Sequence, residues 1–262
     1  MRRSPQAIVS LVGAGPGDPE LLTLGALRRL EQADVVVHDA LVGPEILALC
    51  GSGARRIDAG KRAGRRGPSQ EWINALLVSE ARAGRRVVRL KGGDPFLFGR
   101  GGEEALALTR AGIPWEIVPG VSSALAVPAS AGIPVTHRGL GSSVAIVPGK
   151  LADGAEPVNW AGLNAVQTLV VLMAGSRVAE IAAALLGAGR PASCPVAIVQ
   201  RGTLPGQRTR LSTLGTLARS GDLERVETPA LLVVGEVVRL ASELGGWRDS
   251  LLGRDLPDAR TA

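Results

Sequence analysis

The chain has 262 residues, enough for one large domain or two modest ones with well-formed cores. Aromatic residues make up only 2% of it and tyrosine is absent, which disfavours a protein that reads single-stranded nucleic acid by stacking. The net charge of +6 is too diffuse to name a partner, although it suits an acidic substrate better than a basic one.

The residues that could bind a soft metal are few and separated. Cys50 and Cys194 form no C-x-x-C motif, and the two histidines, His38 and His137, also lie far apart in sequence, so no zinc site is expected. Two isolated thiols agree with a reducing compartment. Neither a signal peptide nor an apolar run of membrane-spanning length is recognisable. We expect a cytoplasmic protein with no metal, nucleic acid or membrane partner.

Short apolar runs that favour strands alternate with helical patterns along the chain. The predicted strands are, in chain order, 7–13, 34–39, 86–90, 115–120, 143–149, 168–175, 195–200, 208–214 and 230–238. The predicted helices are 21–33, 69–84, 103–112 and 177–189. Ser69 is placed to cap the second helix, and Gly84 to end it. This alternation indicates an α/β protein with mainly parallel or mixed sheets, covered on both faces.

A change in composition at 119–120, rich in proline and glycine, predicts a boundary between two domains. The first would be an N-terminal α/β domain over 1–119, and the second a C-terminal α/β domain over 120–244. Residues 150–157 form a second candidate linker, which we interpret as an internal loop. The tail over 245–262 lacks periodicity and is expected to be loose.

The first glycine loop lies in LVGAGPGDPELLTL, between the first predicted strand and helix. Gly13, Gly15 and Gly17 do not have the G-x-G-x-x-G spacing of dinucleotide-binding loops, and Asp18 stands where a pyrophosphate would sit. Asp18 either caps the helix or faces a ligand. The loop therefore suits a neutral or cationic ligand better than a phosphate.

The second glycine loop, in RLKGGDPFLFGRGGEEA, directly follows a predicted strand. Gly92 and Gly93 then lie at the carboxyl end of that strand, where open α/β sheets bind their ligands. Asp94, between bare backbone and Pro95, is a candidate ligand contact or a turn residue.

Both loops form part of a longer resemblance. Together with ADVVVHDALV, GKRAG, VPGVSSALAVPASAGIPVTHRG, LVVLMAG and PVAIVQRGTLPGQR, in this order, they resemble the uroporphyrinogen-III C-methyltransferase family of the tetrapyrrole methylase superfamily, over 7–240. The resemblance implies the tetrapyrrole methylase fold, with two α/β domains and a cleft between them that binds the methyl donor S-adenosylmethionine. The positive sulfonium of this donor agrees with a glycine-lined cleft that carries acids.

Carried over by motif, the residues that contact the donor or its product S-adenosylhomocysteine come from both predicted domains. They are Pro16, Gly92, Gly93, Asp94, Leu97, Ser122, Ser123, Met173, Gly202 and Ala230. Ser122 and Ser123 stand where the family has threonine followed by alanine or serine, and Ser122 retains a hydroxyl. Without the resemblance, Met173 would be interpreted as a core side chain at a strand end.

The implied substrate is uroporphyrinogen III, a tetrapyrrole whose acetate and propionate groups favour arginine partners. The resemblance places Arg100, Glu103, Arg138 and Met173 at this substrate, and the i, i+3 spacing lets Arg100 and Glu103 meet on one helical face. The alternative for each arginine is a solvated surface position, because only three of the 30 basic residues are lysines.

The implied reaction methylates two ring carbons and yields precorrin-2, for sirohaem or cobalamin biosynthesis. A ring carbon attacks the methyl group in line and a proton then leaves the macrocycle, so a general base helps. The resemblance assigns Asp39 as proton acceptor and Lys61 as proton donor, with Arg100 and Glu103 as further candidates for catalysis. Lys61 also stands out as one of few lysines, while Asp39 is alternatively a helix cap or turn residue.

Other functions remain open at this point. They are methylation of a later corrin intermediate, methylation of ribosomal RNA, nicotinamide-dependent oxidation and non-catalytic carriage of either ligand. The broken glycine spacing disfavours the oxidoreductase, and the low aromatic content disfavours the RNA methylase. The resemblance implies a homodimer, and because no glycine-rich domain precedes residue 7, a stand-alone methylase without fused dehydrogenase and chelatase activities is expected.

Overall fold

The computed structural model describes residues 8–60, 67–151, 156–219 and 226–245. The chain divides between Ser122 and Ser123 into two compact units. The domain limits derived from the sequence, 1–119 and 120–244, stay a prediction. Lys61, the middle of the 150–157 loop and all but the first residue of the 245–262 tail lie outside the described residues.

The first unit is built from parallel strands joined by helices. Its strands are β1 (Val9–Gly13), β2 (Val35–His38), β3 (Arg55–Asp58), β4 (Val87–Lys91) and β5 (Trp115–Val118). Its helices are α1 (Leu24–Gln32), α2 (Pro44–Ala48), α3 (Gln70–Arg82) and α4 (Gly101–Arg110), with a 3-10 helix at Pro19–Leu21. In the described residues the sheet order is β3-β2-β4-β1-β5, and every pairing is parallel.

Helices cover both faces of this sheet, so alternate residues of one strand face different cores. Val12 of β1 packs on the side of Leu30 in α1. Its neighbour Leu11 packs on the opposite side, with Leu77 of α3 and Leu108 of α4. Burial on both sides explains why β1 and β2 are largely apolar instead of alternating between apolar and polar residues.

Local signals that the sequence offered for α3 are confirmed. The Ser69 hydroxyl accepts a hydrogen bond from the Trp72 backbone N–H at 3.2 Å, as an N-cap does. Gly84 takes a φ of +79° directly after the helix, a conformation that favours glycine. The helix therefore begins and ends within two residues of the predicted limits.

The second unit contains a sheet of mixed direction. Its strands are β6 (Val144–Pro148), β7 (Thr168–Leu172), β8 (Pro195–Gln200), β9 (Arg208–Thr213) and β10 (Ala230–Val234). Its helices are α5 (Ser123–Ser130), α6 (Val178–Gly187), α7 (Leu214–Arg219) and α8 (Ala241–Leu244), with 3-10 helices at Gly175–Arg177 and Glu236–Leu240. In the described residues the order is β6-β7-β10-β8-β9.

Only the β6–β7 pairing of this second sheet is parallel among the described strands; β7–β10, β10–β8 and β8–β9 are antiparallel. The expectation of mainly parallel pairing thus holds for the first unit, and the second is mixed. β10 also ends at Val234, four residues before the predicted limit, because Gly235 turns the chain with a φ of +140°. None of the helices in the described part of the chain has both the length and the apolar character of a membrane span.

Candidate active site

The carboxyl ends of four parallel strands meet at one edge of the first sheet, where ligands bind in α/β proteins. The predicted site residues of this unit follow those ends: Pro16 after β1, Asp39 after β2, Gly92, Gly93, Asp94 and Leu97 after β4, and Ser122 after β5. The fold therefore brings them to one edge. In the described residues no group of three or more His, Cys, Asp and Glu is arranged to hold a metal ion.

Three glycines let the loops at this edge touch through their backbones. A Cβ added to Gly13 would lie 2.5 Å from the Gly120 Cα and 2.6 Å from the Gly93 oxygen. A Cβ added to Gly120 would lie 2.3 Å from that same oxygen. Gly93 also exchanges backbone hydrogen bonds with Gly15, at 2.7 and 3.2 Å. Close packing between loops therefore explains much of the glycine content that the sequence associated with a ligand.

Gly92 differs from these packing glycines. A Cβ added there would meet its nearest neighbour, the Leu41 Cβ, at an ordinary contact distance of 3.5 Å. Its φ lies outside the left-handed region, so backbone conformation does not require glycine either. The residue is half-buried. Its bare backbone is therefore open to the close approach of a ligand.

The two acids of the glycine loops have structural partners. The Asp94 carboxylate accepts hydrogen bonds from the Phe96 N–H at 2.8 Å and the Gly120 N–H at 3.1 Å. It thereby ties the loop after β4 to the loop after β5. Asp18 is buried and accepts from the Glu20 N–H at 3.0 Å, so the capping interpretation describes its observed contact.

Asp39 stands above a set of buried charges. Its side chain is 31% exposed and accepts a hydrogen bond from the Arg89 guanidinium. Arg89 lies inside β4 and is only 2% exposed; its Nε donates to Glu104 Oε1 at 2.9 Å and its Nη1 to the Val37 carbonyl at 3.2 Å. The His38 imidazole lies 3.1 Å from the backbone carbonyl of Asp39, so it contacts the main chain of this residue.

Glu104 of α4 is 0% exposed and gathers further donors. Its Oε1 also accepts from Lys91 Nζ at 3.1 Å and Gln70 Nε2 at 3.3 Å. We call Asp39, Arg89, Lys91 and Glu104 the buried charge network; its formal charges sum to zero. Removing one partner from such a buried ion pair costs about 3–5 kcal/mol, since the other charge is left uncompensated.

Burial and pairing act in opposite directions on the two cations of the network. Burial disfavours the charge on Arg89, but the carboxylates of Asp39 and Glu104 outweigh it, and the pKa of Arg89 lies above its ordinary value. Burial and the adjacent Arg89 charge hold the pKa of Lys91 below its ordinary value, against the attraction of the two acids. Of the two cations, Lys91 is therefore the one that loses its proton more readily.

The sequence did not reveal four components of this site, which are Arg89, Lys91, Glu104 and Gln70. A signal was present: two basic residues at i and i+2 lie in and directly after the strand predicted over 86–90, on the same face if the strand continues by one residue. Buried cations require partners, and these come from α3, from α4 and from the carboxyl end of β2. The identity of these partners depends on how the helices pack against the strand, and the strand sequence alone does not show it.

Arg100 and Glu103 form the predicted i, i+3 pair at the start of α4. Two hydrogen bonds of 2.7 Å join Nε to Oε1 and Nη2 to Oε2, and the Glu103 carboxylate raises the pKa of Arg100. Arg100 has a left-handed φ of +60°, which is strained for a side-chain-bearing residue. Both side chains are exposed, so the pair contributes little stability and a substrate carboxylate can compete for the guanidinium.

A second group of predicted residues lies along one edge of the second sheet. Because β10 runs antiparallel to β7 and β8, its amino end adjoins their carboxyl ends, and Ala230 pairs with Gln200. Met173 follows β7, and Gly202 follows β8. Met173 is 49% exposed with a φ of +57°. It does not fill the core, so the interpretation as a core side chain is wrong.

Gly202 is fixed by packing within the second unit. A Cβ added to it would lie 2.2 Å from Val127 Cγ1 of α5, the helix that begins at Ser123. Its neighbours Arg201 and Thr203 both have left-handed φ values, +51° and +65°. The loop after β8 is thus held in a strained shape against α5, as loops at functional sites often are.

Arg138 occupies a tight turn of the second unit. Its neighbour His137 exchanges backbone hydrogen bonds with Gly141, at 2.9 and 3.0 Å, and Gly139 has a φ of +87°. Arg138 is exposed in this turn. The arginine that was predicted to contact a tetrapyrrole is therefore exposed on a well-defined turn.

The first unit is a parallel α/β unit whose carboxyl edge carries strained residues and accessible glycine backbone, and the second is an α/β unit with a mixed sheet. This combination defines a class of two-unit α/β proteins that is distinct from dinucleotide-binding folds. Residues 9–218 match the family model described as Tetrapyrrole (Corrin/Porphyrin) Methylases. The chain belongs to this family.

Relatives and solved structures agree with this assignment. A siroheme synthase of Azotobacter vinelandii is 52% identical over 244 residues, which are 92% of this chain and 53% of that protein. The chain thus spans about half the length of this relative. The structure of a uroporphyrin-III C-methyltransferase of Thermus thermophilus complexed with S-adenosylhomocysteine is 46% identical, covers 89% of this chain and 100% of that one, and has a TM-score of 0.79. A cobalt precorrin-4 methyltransferase is 27% identical, covers 91% and 98% of the two chains, and has a TM-score of 0.78.

Proposed function

We propose that this chain transfers methyl groups from S-adenosylmethionine to two ring carbons of uroporphyrinogen III and releases precorrin-2 for sirohaem biosynthesis. The observation that carries the proposal is the 46% identity along the whole length of the T. thermophilus uroporphyrin-III C-methyltransferase. The cobalt precorrin-4 methyltransferase has a similar fold but only 27% identity, so a later corrin intermediate is the less favoured substrate.

The residues at the two sheet edges support binding of the donor. When bound, S-adenosylmethionine supplies an electrophilic methyl group on a positively charged sulfur. In the first unit, Gly92 offers bare backbone that neither packing nor φ explains, and Asp94 keeps the neighbouring loops in place. Pro16, Gly93, Leu97 and Ser122 complete the donor contacts proposed there. Those proposed in the second unit are Ser123, Met173, Gly202 and Ala230.

Substrate recognition is assigned to exposed cations and one exposed apolar side chain. Arg100 can release Glu103 and donate from Nε and Nη2 to a propionate or acetate of the substrate. This two-point geometry favours arginine over lysine. Arg138 presents a second guanidinium from its turn. The exposed Met173 side chain offers an adaptable apolar contact for a pyrrole ring.

Proton removal from the methylated macrocycle is assigned to Asp39. This carboxylate is accessible, lies at the carboxyl edge of the sheet and has its Oδ1 held by Arg89. These features support the proposal that it acts as the general base. Lys61 is proposed as the proton donor because of the resemblance and because lysine is rare in this chain. Glu103 and Arg100 are further candidates for handling a proton, because they lie at the same edge of the first unit.

The proposal is tested with donor labelled in its methyl group and uroporphyrinogen III under anaerobic, reducing conditions. Transfer of two labelled methyl groups per macrocycle is expected. Labelling of later precorrins alone would favour the second candidate, and calorimetry that detects NAD binding but neither S-adenosylmethionine nor S-adenosylhomocysteine would refute methyl transfer. Mass spectrometry of the product distinguishes one methylation from two.

We also propose that the chain works as a homodimer in the cytoplasm. The family resemblance supports the dimer, and the two free, buried cysteines agree with a reducing compartment. Light scattering during size-exclusion chromatography checks the first point. A monomer at all concentrations tested would contradict it.

A further inference from the structure

The buried charge network contains an acid that the proposed reaction does not use. Glu104 is fully buried in α4, yet its Oε1 accepts hydrogen bonds from Arg89, Lys91 and Gln70. A carboxylate is costly to bury, and an apolar side chain would fill the same space more cheaply. Its position therefore calls for a role beyond packing.

The contacts of Arg89 suggest that role. Its Nε donates to Glu104 at 2.9 Å and its Nη1 to the Val37 carbonyl at 3.2 Å, so two of the three guanidinium nitrogens are held in place. The remaining nitrogen, Nη2, donates to Asp39 Oδ1. A planar group fixed at two points presents its third donor in one direction.

We propose that Glu104 is a positioning residue for Asp39 and acts through Arg89. The chain of contacts runs from α4 through the interior of β4 to the carboxyl end of β2, and each link is a charge-assisted hydrogen bond. Glu104 fixes the guanidinium, and the guanidinium fixes one oxygen of the carboxylate. Lys91 balances the second negative charge, so the network stays neutral. This inference rests on the proposed function, in which Asp39 accepts the proton.

Glu104→Gln tests the relay, because it removes the charge and keeps the shape. We expect kcat for methyl transfer to fall about 10- to 100-fold, the effect of a small displacement of a catalytic group. The KM for uroporphyrinogen III and the Kd for S-adenosylhomocysteine should change less than about twofold, since Glu104 is fully buried and is assigned no contact with either molecule. In the Asp39→Asn background, the same substitution should lower kcat no further.

Glu80→Gln is the matched control. Glu80 is also a buried acid of the first unit and binds two arginines, Arg55 and Arg85, each at 2.6 Å. It belongs to α3 and lies outside the network. If Glu104 mattered only for stability, both variants would lose stability and neither would lose kcat selectively.

A charge-balanced variant, Lys91→Met with Glu104→Gln, keeps the test valid if the single variant does not fold. It removes one buried cation with one buried anion, and it should show the same loss of kcat. Crystal structures of the wild-type protein and the variant should show the Asp39 carboxylate rotated in the variant. Unchanged kcat, an unchanged Asp39 conformation, or an equal loss in the Asp39→Asn background would overturn the inference. Absence of turnover by the wild-type protein would instead refute the proposed function.

Discussion

Asp34 and Asp39 lie just beyond opposite ends of β2, and each accepts a hydrogen bond from an arginine on the neighbouring chain segment of β4. Asp34 binds Arg86 at 2.9 Å where β4 begins, and both side chains are largely exposed. Asp39 binds Arg89, which is buried and is held in turn by Glu104. The same two residue types thus form a surface pair at the amino edge and part of a buried network at the carboxyl edge.

This symmetry provides a matched pair of variants. Asp39→Asn should lower kcat by about 10²–10⁴-fold, the range typical for loss of a general base, with donor affinity retained. Asp34→Asn removes the carboxylate that precedes the same strand and leaves the carboxyl edge intact. Steady-state kinetics should therefore show near-wild-type turnover for it. Full turnover by Asp39→Asn would remove this residue from the mechanism.

Alanine at two glycines should separate ligand contact from packing. Gly120→Ala brings a methyl group within 2.3 Å of the Gly93 oxygen and should cost about 1–3 kcal/mol or more in the free energy of unfolding. Gly92→Ala meets only an ordinary contact, so stability should hold while the affinity for S-adenosylhomocysteine falls. Thermal unfolding and calorimetry report the two effects. Wild-type affinity in Gly92→Ala would exclude close approach of the donor at this residue.

Met173→Ala should lose activity without losing stability. The side chain is half-exposed, so its removal should change the free energy of unfolding by less than about 0.5 kcal/mol. Turnover should fall because the proposed contact with the bound molecules is lost. Leu211→Ala, at a comparably exposed side chain on β9, is the control and should leave both quantities unchanged. A large drop in melting temperature for Met173→Ala would favour a structural role.

Glu116 should make the first unit sensitive to acid. Hydrogen bonds from Arg29 at 2.7 and 2.8 Å, with a further one from Ser10, hold the pKa of this carboxyl below its ordinary value. A carboxylate whose pKa is lower in the folded state than in the unfolded state stabilises the fold at pH values above its unfolded-state pKa. This stabilisation is lost as the pH falls through the lower, folded-state pKa. Glu116→Gln should therefore flatten the acid side of the stability curve, while Glu31→Gln on the surface of α1 should not. Urea unfolding between pH 7 and pH 3 checks this, and parallel curves for wild type and Glu116→Gln would contradict it.

The two cysteines should be unreactive in the folded protein. Burial raises the pKa of Cys50 and of Cys194 above the ordinary thiol value, and only the thiolate reacts with disulfide reagents. We expect slow modification by a chromogenic disulfide at pH 8, and rapid reaction of two thiols per chain in denaturant. Fast labelling of either cysteine under native conditions would show that its surroundings open readily.

Long, strongly patterned elements were predictable from sequence. The helix over 69–84 and the strand over 195–200 are confirmed, because a cap, a terminating glycine or a continuous apolar run is a local property. Short elements were not predicted, among them α2 and the exposed strand β3. Five residues of helix or four of strand carry too little pattern, and tertiary contacts hold them in place.

The sequence by itself determined the family, the α/β alternation and the set of residues at the strand ends, since motifs and apolar periodicity are written along the chain. Only the tertiary structure decided which glycines serve backbone packing, and that Gly92 does not. It alone decided that β8 and β10 pair antiparallel and that Glu104 meets Arg89 beneath Asp39. These facts depend on contacts between segments that are distant in sequence. The type of a residue limits what it can bind, but the tertiary structure decides which partner lies next to it.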